Sequence, residues 1–213
     1  MLGLAVTGGE GPEPDVLRLL VRGADVVAAA DSGLTAAENA GISPDWIIGD
    51  MDSVDSLLLK KYPADRVISF PHDKDFTDTE LALDLLWKKG CSRIWIAGGG
   101  GGRLDHLLAL SWLFERGKFP ERWITFSDDV YCLDSLSLNE IKMKFAPGTT
   151  VSVLPLGTGE WKAQSKGLKW PLDNVVWDRG SIAISNRTTT DSFSIFVTKG
   201  RFMVILPITR QEQ

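Results

Sequence analysis

The feature that most constrains this chain is an alternation that fills residues 1–132. Short apolar runs rich in Val and Ile alternate with amphipathic stretches. The runs are Leu2–Val6, Val26–Ala30, Trp46–Ile48, Val67–Phe70, Ile94–Ala97 and Ile124–Phe126. They show little polar alternation, as expected of strands buried on both faces. Between them lie helical patterns at 14–22, 35–40, 77–89 and 106–116, each followed by a glycine, Gly23, Gly41, Gly90 and Gly117, a helix-stop signal. Repeated strand–helix units predict a Rossmann-like, mostly parallel sheet with helices on both faces. Residues beyond 140 read differently. Ile141–Phe145, Thr149–Leu154, Leu168–Trp170, Ile182–Ser185, Phe193–Val197 and Phe202–Leu206 are closely spaced and broken by Gly, Asn and Asp. That spacing predicts a small antiparallel β-sandwich. The expected division is an α/β domain over 1–135 and a sandwich over 136–213.

Charge sharpens this picture. The chain of 213 residues carries a net charge of −5. Residues 1–106 hold 17 acids against 10 bases, whereas the remainder holds 11 against 13. An acidic front half argues against a general nucleic-acid binder, whose footprint is basic. No apolar run approaches the ~18–20 residues of a membrane span. Two cysteines, Cys91 and Cys132, suit a reducing compartment. Met1–Val6 lacks a basic leader, so it reads as a first strand rather than a signal peptide. The expectation is a soluble cytoplasmic protein.

Ligands of open α/β sheets bind beyond the carboxyl ends of the strands. Here those ends run into Asp31-Ser32-Gly33, Gly49-Asp50-Met51-Asp52-Ser53, Asp73-Lys74-Asp75-Phe76-Thr77-Asp78, and five glycines followed by Arg103-Leu104-Asp105-His106. In extended chain, residues i and i+2 point the same way, so Asp50 and Asp52 are expected to face one hard cation. A solvated turn explains the same residues. Asp31, Asp50, Asp52, Asp75, Asp78 and Asp105 are expected to converge, with a cation compensating their repulsion. Thr77 and Glu80 also satisfy capping-box spacing, and Asp105 is placed to cap a helix starting at His106. Gly98–Gly102 offers successive N–H groups for an anion nest, and Arg103 a planar donor fork for phosphate. His106 is as readily a core or capping histidine, and His72 reads as a loop residue. Trp170 and Trp177 flank a sandwich loop, where they either stack on a flat ring or pack in the core. Walker, protein-kinase and zinc signatures are absent.

Together these blocks, with Gly41-Ile42-Ser43-Pro44-Asp45, Gly167-Leu168-Lys169-Trp170-Pro171-Leu172 and Ser185-Asn186, resemble the thiamin pyrophosphokinase family. They occur in the family's order over nearly the whole chain. The resemblance implies an ATP-binding α/β domain and a thiamin-binding sandwich, paired as a homodimer with active sites at the subunit interface. It implies transfer of pyrophosphate from Mg-ATP to the hydroxyl of thiamin, giving AMP and thiamin diphosphate. Asp50, Asp52 and Asp78 match magnesium ligands. Thr77, Arg103 and Asp105 match nucleotide and phosphate contacts, with His106 beside them. Asp31 lies near the phosphates and acceptor, where it is nominated as proton acceptor. Ser185 and Asn186 match residues that meet the thiamin pyrimidine. Three departures stand out: Met51 replaces the usual Phe, Lys74 stands where some members carry Gln facing thiamin, and Arg187 stands where bacterial relatives commonly have Glu. Two other readings use the same residues: an Asp-x-Asp glycosyltransferase, and a nucleotide- or thiamin-binding sensor without turnover.

Overall fold

A computed structural model describes residues 1–178 and 180–208. The chain forms two compact units, one of Met1–Leu113 with Lys118–Ser127, the other of Phe114–Gly117 with the chain from Asp128 onward.

The first unit contains strands β1 (Leu2–Thr7), β2 (Val26–Ala30), β3 (Trp46–Gly49), β4 (Val67–Ser69), β5 (Arg93–Ala97) and β6 (Arg122–Ile124). Their order is β6-β5-β1-β2-β3-β4, and every pairing is parallel. All six residues of β1 are buried, which explains its unbroken apolar sequence. Helices α1 (Pro14–Gly23), α2 (Gly33–Asn39), α3 (Ser56–Leu59), α4 (Asp78–Lys88) and α5 (Leu104–Leu113) connect the strands. α2 packs on β1 and β2, and α4 on β1, β2 and β3. Leu34 of α2 and Leu83 and Leu86 of α4 are fully buried. The sheet grows from β1 through β2 and β3 to β4, then returns through α4 to place β5 on the other side of β1. The loops after β1 and β5 therefore flank a topological switch point, where such sheets take ligands.

Helix boundaries shift from those expected. α2 starts at Gly33 because a Cβ there would lie 2.2 Å from the Val6 carbonyl oxygen, so only glycine lets the helix begin against β1. α3 was not anticipated; Asp55 nucleates it by accepting a hydrogen bond from the Leu57 N–H at 2.8 Å. Just beyond it, Tyr62 packs against the cluster of Ala29, Leu34, Ile47 and Val54. Its hydroxyl donates to Glu38 Oε1, while Lys61 Nζ lies 3.1 Å from Glu38 Oε2. Burial, then the adjacent carboxylate, pushes the Tyr62 phenol from 10.0 up to about 12. The unfolded chain ionises first, so this stabilisation is constant below pH ~10 and is lost between about 10 and 12. Tyr62→Phe is expected to remove that alkaline leg from the urea midpoint plotted against pH. An unchanged slope would refute the assignment.

The second unit contains β7 (Asp128–Asp134), β8 (Glu140–Lys144), β9 (Thr150–Leu156), β10 (Lys162–Lys166), β11 (Ala183–Arg187), β12 (Ser192–Lys199) and β13 (Arg201–Pro207). Four of them are ordered β11-β9-β13-β7, and a separate sheet is ordered β10-β12-β8. All these pairings are antiparallel within the unit. Leu133, Val151, Val153, Phe202 and Val204 from the first sheet and Ile141, Ala163, Phe193, Ile195 and Val197 from the second share one buried core. This is the expected sandwich. Two of its strands were not anticipated. β10 (Lys-Ala-Gln-Ser-Lys) buries Ala163 alone and carries no β-branched signal. β7 opens and closes on acids, and Asp134 is paired with Arg201 at 2.8 Å. Conversely, 168–170 is not a strand: Leu168 makes one isolated bridge to Thr188. Among the described residues, no helix is long and apolar enough to cross a membrane.

Candidate active site

Three carboxylates meet at the carboxyl edge of the first sheet. Asp31 follows β2, Asp50 follows β3, and Asp78 opens α4. Each offers an oxygen, and these oxygens all lie within 4.8 Å of one another. Asp31 Oδ1 and Asp78 Oδ1 are buried and have no hydrogen-bond partner. The second Asp31 oxygen accepts from Ser53 Oγ. Gly49 makes this convergence possible: a Cβ there would lie 3.1 Å from Asp78 Oδ1 and 3.2 Å from the Asp31 Cβ, at a φ of +150°. Asp31 Oδ1 is left without a partner, and one ammonium, that of Lys74, stands against the other two carboxylates; acids so close and so incompletely compensated fit a hard metal ion.

A second grouping shares Asp50. His72 Nδ1 lies 3.0 Å from Asp50 Oδ2 and 3.2 Å from Asp52 Oδ2. The Asp50-Met51-Asp52 segment is not extended, contrary to the expectation from its spacing. Met51 adopts φ +64°, and the Asp52 N–H turns back onto Asp50 Oδ1 at 3.2 Å. Lys74 Nζ lies 3.2 Å from both Asp50 Oδ2 and Asp78 Oδ1; only the first contact has hydrogen-bond alignment. The Asp52 N–H, opposed by burial and reinforced by Lys74 and His72, holds the Asp50 carboxyl down to about 2. Asp78 moves the other way, because burial raises its pKa more than Lys74 lowers it. Burial works against the Lys74 charge, but Asp78 and Asp50 together outweigh it and raise its pKa.

Of the three expected metal ligands, Asp50 and Asp78 are thus grouped with Asp31, while Asp52 is grouped with Asp50 and His72. Asp75 and Asp105 belong to neither grouping, so the six expected acids converge only in part. Asp105 lies inside the first turn of α5, which begins at Leu104, and therefore is not the helix cap. It pairs instead with Arg103, at 3.1 Å and 2.6 Å, with both side chains largely exposed. His106 is exposed, which removes the core reading. Thr77 forms the capping box: its hydroxyl accepts from the Glu80 N–H at 3.2 Å, and the Glu80 carboxylate accepts from the Thr77 N–H at 2.8 Å.

The glycine run is used differently from an open anion nest. Gly98, Gly99 and Gly100 donate to the carbonyls of Ile124, Gly8 and Glu10, and Glu10 donates back to Gly100. The loops after β1 and β5 thus clasp each other. Among the described backbone hydrogen bonds, none engages the N–H of Gly101 or Gly102, so an anion would meet only that end, beside Arg103.

In the second unit, Asn186 is buried. Its carboxamide accepts from the Trp170 N–H at 3.1 Å and donates to the Trp170 carbonyl at 2.7 Å. It therefore fixes Trp170, whose side chain is half exposed. Ser185 has φ +59°, and its N–H donates to Ser152 Oγ at 3.1 Å. Arg187 is exposed. Trp177 is partly buried and packs against the sandwich core, edge-on to Phe202 at 4.9 Å. Sequence reasoning read His72 as a loop residue and named Ser53 within the Gly49–Ser53 block without giving it a role. The only available signal was their position in the acid-bearing loops, because neither has motif spacing of its own.

Residues 17–122 match the model of the thiamin pyrophosphokinase catalytic domain, and residues 139–202 match that of its vitamin B1 binding domain. The thiamine pyrophosphokinase of Bacillus subtilis is 30% identical over 190 residues, covering 82% of this chain and 84% of that protein. Thiamine pyrophosphokinase 2 of Arabidopsis thaliana is 33% identical over 145 residues. The chain spans only 53% and 61% of the length of two Arabidopsis relatives. Among solved structures, that of the Bacillus subtilis enzyme superposes with a TM-score of 0.78 at 25% identity, covering 97% of this chain and 99% of the other. The Candida albicans thiamin pyrophosphokinase shares the fold, with a TM-score of 0.71 over 98% of this chain and 89% of the other at 17% identity. Two family domains matched in order, and a relative matched over most of its length, establish that the chain belongs to the thiamin pyrophosphokinase family.

Proposed function

We propose that this protein transfers the terminal pyrophosphate of ATP to the primary hydroxyl of thiamin, releasing AMP. The observation that carries the chemistry is the grouping of Asp31, Asp50 and Asp78, in which the buried Asp31 Oδ1 has no partner and the buried Asp78 Oδ1 meets only the Lys74 ammonium. Magnesium is the expected ion, held by Asp50 and Asp78 with Asp31, and by Asp52 from the His72 side. When bound it would neutralise phosphate charge and so lower the barrier to attack at the β-phosphorus. The protein supplies little covalent chemistry in such a transfer; it positions and neutralises. Arg103 offers its guanidinium to the phosphates, and Asp105 orients that fork from the side. Gly101 and Gly102 bring backbone N–H groups close to the same place. Thr77 anchors the start of α4 and thereby places Asp78. Where Asp50, Asp52 and Asp78 hold the ion, Asp31 Oδ1, which makes no hydrogen bond, is left to accept the proton of the thiamin hydroxyl.

The α/β domain, expected over residues 1–135, is assigned to ATP and the sandwich, expected over 136–213, to thiamin; by its contacts β7 (Asp128–Asp134) groups with the sandwich. There Ser185 presents itself at a strained backbone position and Asn186 acts by holding Trp170. Lys74 belongs to the acceptor side of the site. The family resemblance supports a cytoplasmic homodimer that shares its active sites. A sandwich this small has a thin core, which favours such association.

Purified protein incubated with magnesium, ATP and thiamin is expected to yield AMP and thiamin diphosphate, identified by mass. ADP with thiamin monophosphate would instead mean transfer of a single phosphoryl group and would overturn the reading.

A further inference from the structure

Lys74 occupies an unusual place for a lysine. Its side chain is 12% exposed, and Asp50 beside it is 10% exposed. Lysine ordinarily keeps its ammonium in water. Here Nζ is inserted between Asp50 Oδ2 and Asp78 Oδ1, 3.2 Å from each. Both carboxylates belong to the group of Asp31, Asp50 and Asp78 that a shared cation would use. Three carboxylates with oxygens within 4.8 Å repel one another strongly, and the ammonium offsets only part of that charge. His72 bridges Asp50 and Asp52 but is largely exposed, with 81% of its side chain open to solvent, so it is a weaker screen.

We infer that Lys74 is a tethered counter-cation that holds Asp50 and Asp78 together in the metal-free protein and competes with the divalent ion for their oxygens. This rests on the proposal that these carboxylates hold such an ion. The ammonium is tied to the loop before α4, so it guards the acidic cluster against collapse or swelling and has to be displaced when the ion arrives. Metal affinity is thereby weakened, and premature occupancy of the site is discouraged.

The test compares Lys74→Gln, which removes the charge, with Lys74→Arg, which keeps it. Thermal midpoints are measured in EDTA, and Mn2+ affinity is measured by calorimetry without nucleotide. Lys74→Gln should lower the metal-free midpoint and tighten Mn2+ binding about tenfold, the order expected when a unit charge leaves a partly buried site. Lys74→Arg should stay within about twofold of wild type. If wild type binds Mn2+ and Lys74→Gln binds it no more tightly, the competition does not exist and the inference alone falls. If neither protein binds the ion, the metal assignment falls with it. Should Lys74→Gln be too unstable to titrate without metal, its midpoint in excess Mn2+ must recover at least to that of wild type. Failure to recover overturns the inference.

Discussion

Asp50→Asn is expected to lower AMP formation by about a thousandfold or more while leaving the circular dichroism spectrum unchanged, a loss of roughly 4 kcal/mol of transition-state stabilisation. Asp50 belongs to both acidic groupings, so its charge is the one shared by every arrangement of a cation at this edge. The substitution keeps shape and much of the hydrogen bonding, because the carboxamide oxygen can still accept from the Asp52 N–H. Asp78→Asn should lose turnover to a similar degree but keep or gain stability. Burial raises the Asp78 carboxyl pKa in the folded state, so its ionised form opposes folding near neutral pH, and a neutral isostere relieves that cost. Asp50→Asn should instead lose stability, because the fold holds that carboxyl down to about 2 and its ionised form favours folding; two variants with the same catalytic loss and different stability changes would separate charge needed for chemistry from charge needed for the fold. Wild-type-like AMP formation by both would sink the site assignment.

The sequence made the first sheet and its acidic edge readable, for a local reason. Parallel strands buried on both faces must be apolar throughout, and Leu2–Val6 and Val26–Ala30 carry that signature in every residue. The loops that follow them carry charge that a core would not tolerate. Less was visible where pairing is long-range. β10 became a strand through its antiparallel partner β12, not through its own polar residues. The Asp50-Met51-Asp52 segment reads as extended by spacing, yet Met51 sits at φ +64°, a conformation that side-chain pattern does not announce. His72 acquires partners only because β3 and β4 are neighbours in the sheet. Asn186 was legible as a motif residue, but its role in clamping the Trp170 backbone was not. The glycine run signalled close backbone approach correctly. What it approaches, the Gly8–Glu10 loop across the switch point, is a matter of topology.

That glycine clasp carries the second large prediction, which concerns stability. Gly98→Ala is expected to destabilise the protein by roughly 3 kcal/mol or more, whereas Gly102→Ala should cost only about 1–2 kcal/mol. Both glycines have positive φ, +111° and +68°, so both substitutions incur backbone strain. They differ in what surrounds them. A Cβ on Gly98 would lie 2.2 Å from the Thr7 carbonyl oxygen, which is backbone and cannot swing aside, while a Cβ on Gly102 meets nothing within 4 Å. The difference between the two variants in urea unfolding therefore isolates the clash from the strain. Trp123 supplies a local reporter, since its indole N–H donates to the Gly98 carbonyl at 2.7 Å from a buried position. Gly98→Ala should red-shift the tryptophan emission as that bond is lost, and Gly102→Ala should leave it in place. Equal costs for the two substitutions, with no spectral change in either, would mean that the loops after β1 and β5 move apart freely. The switch point would then not be the rigid floor that the proposed phosphate positioning by Arg103 requires.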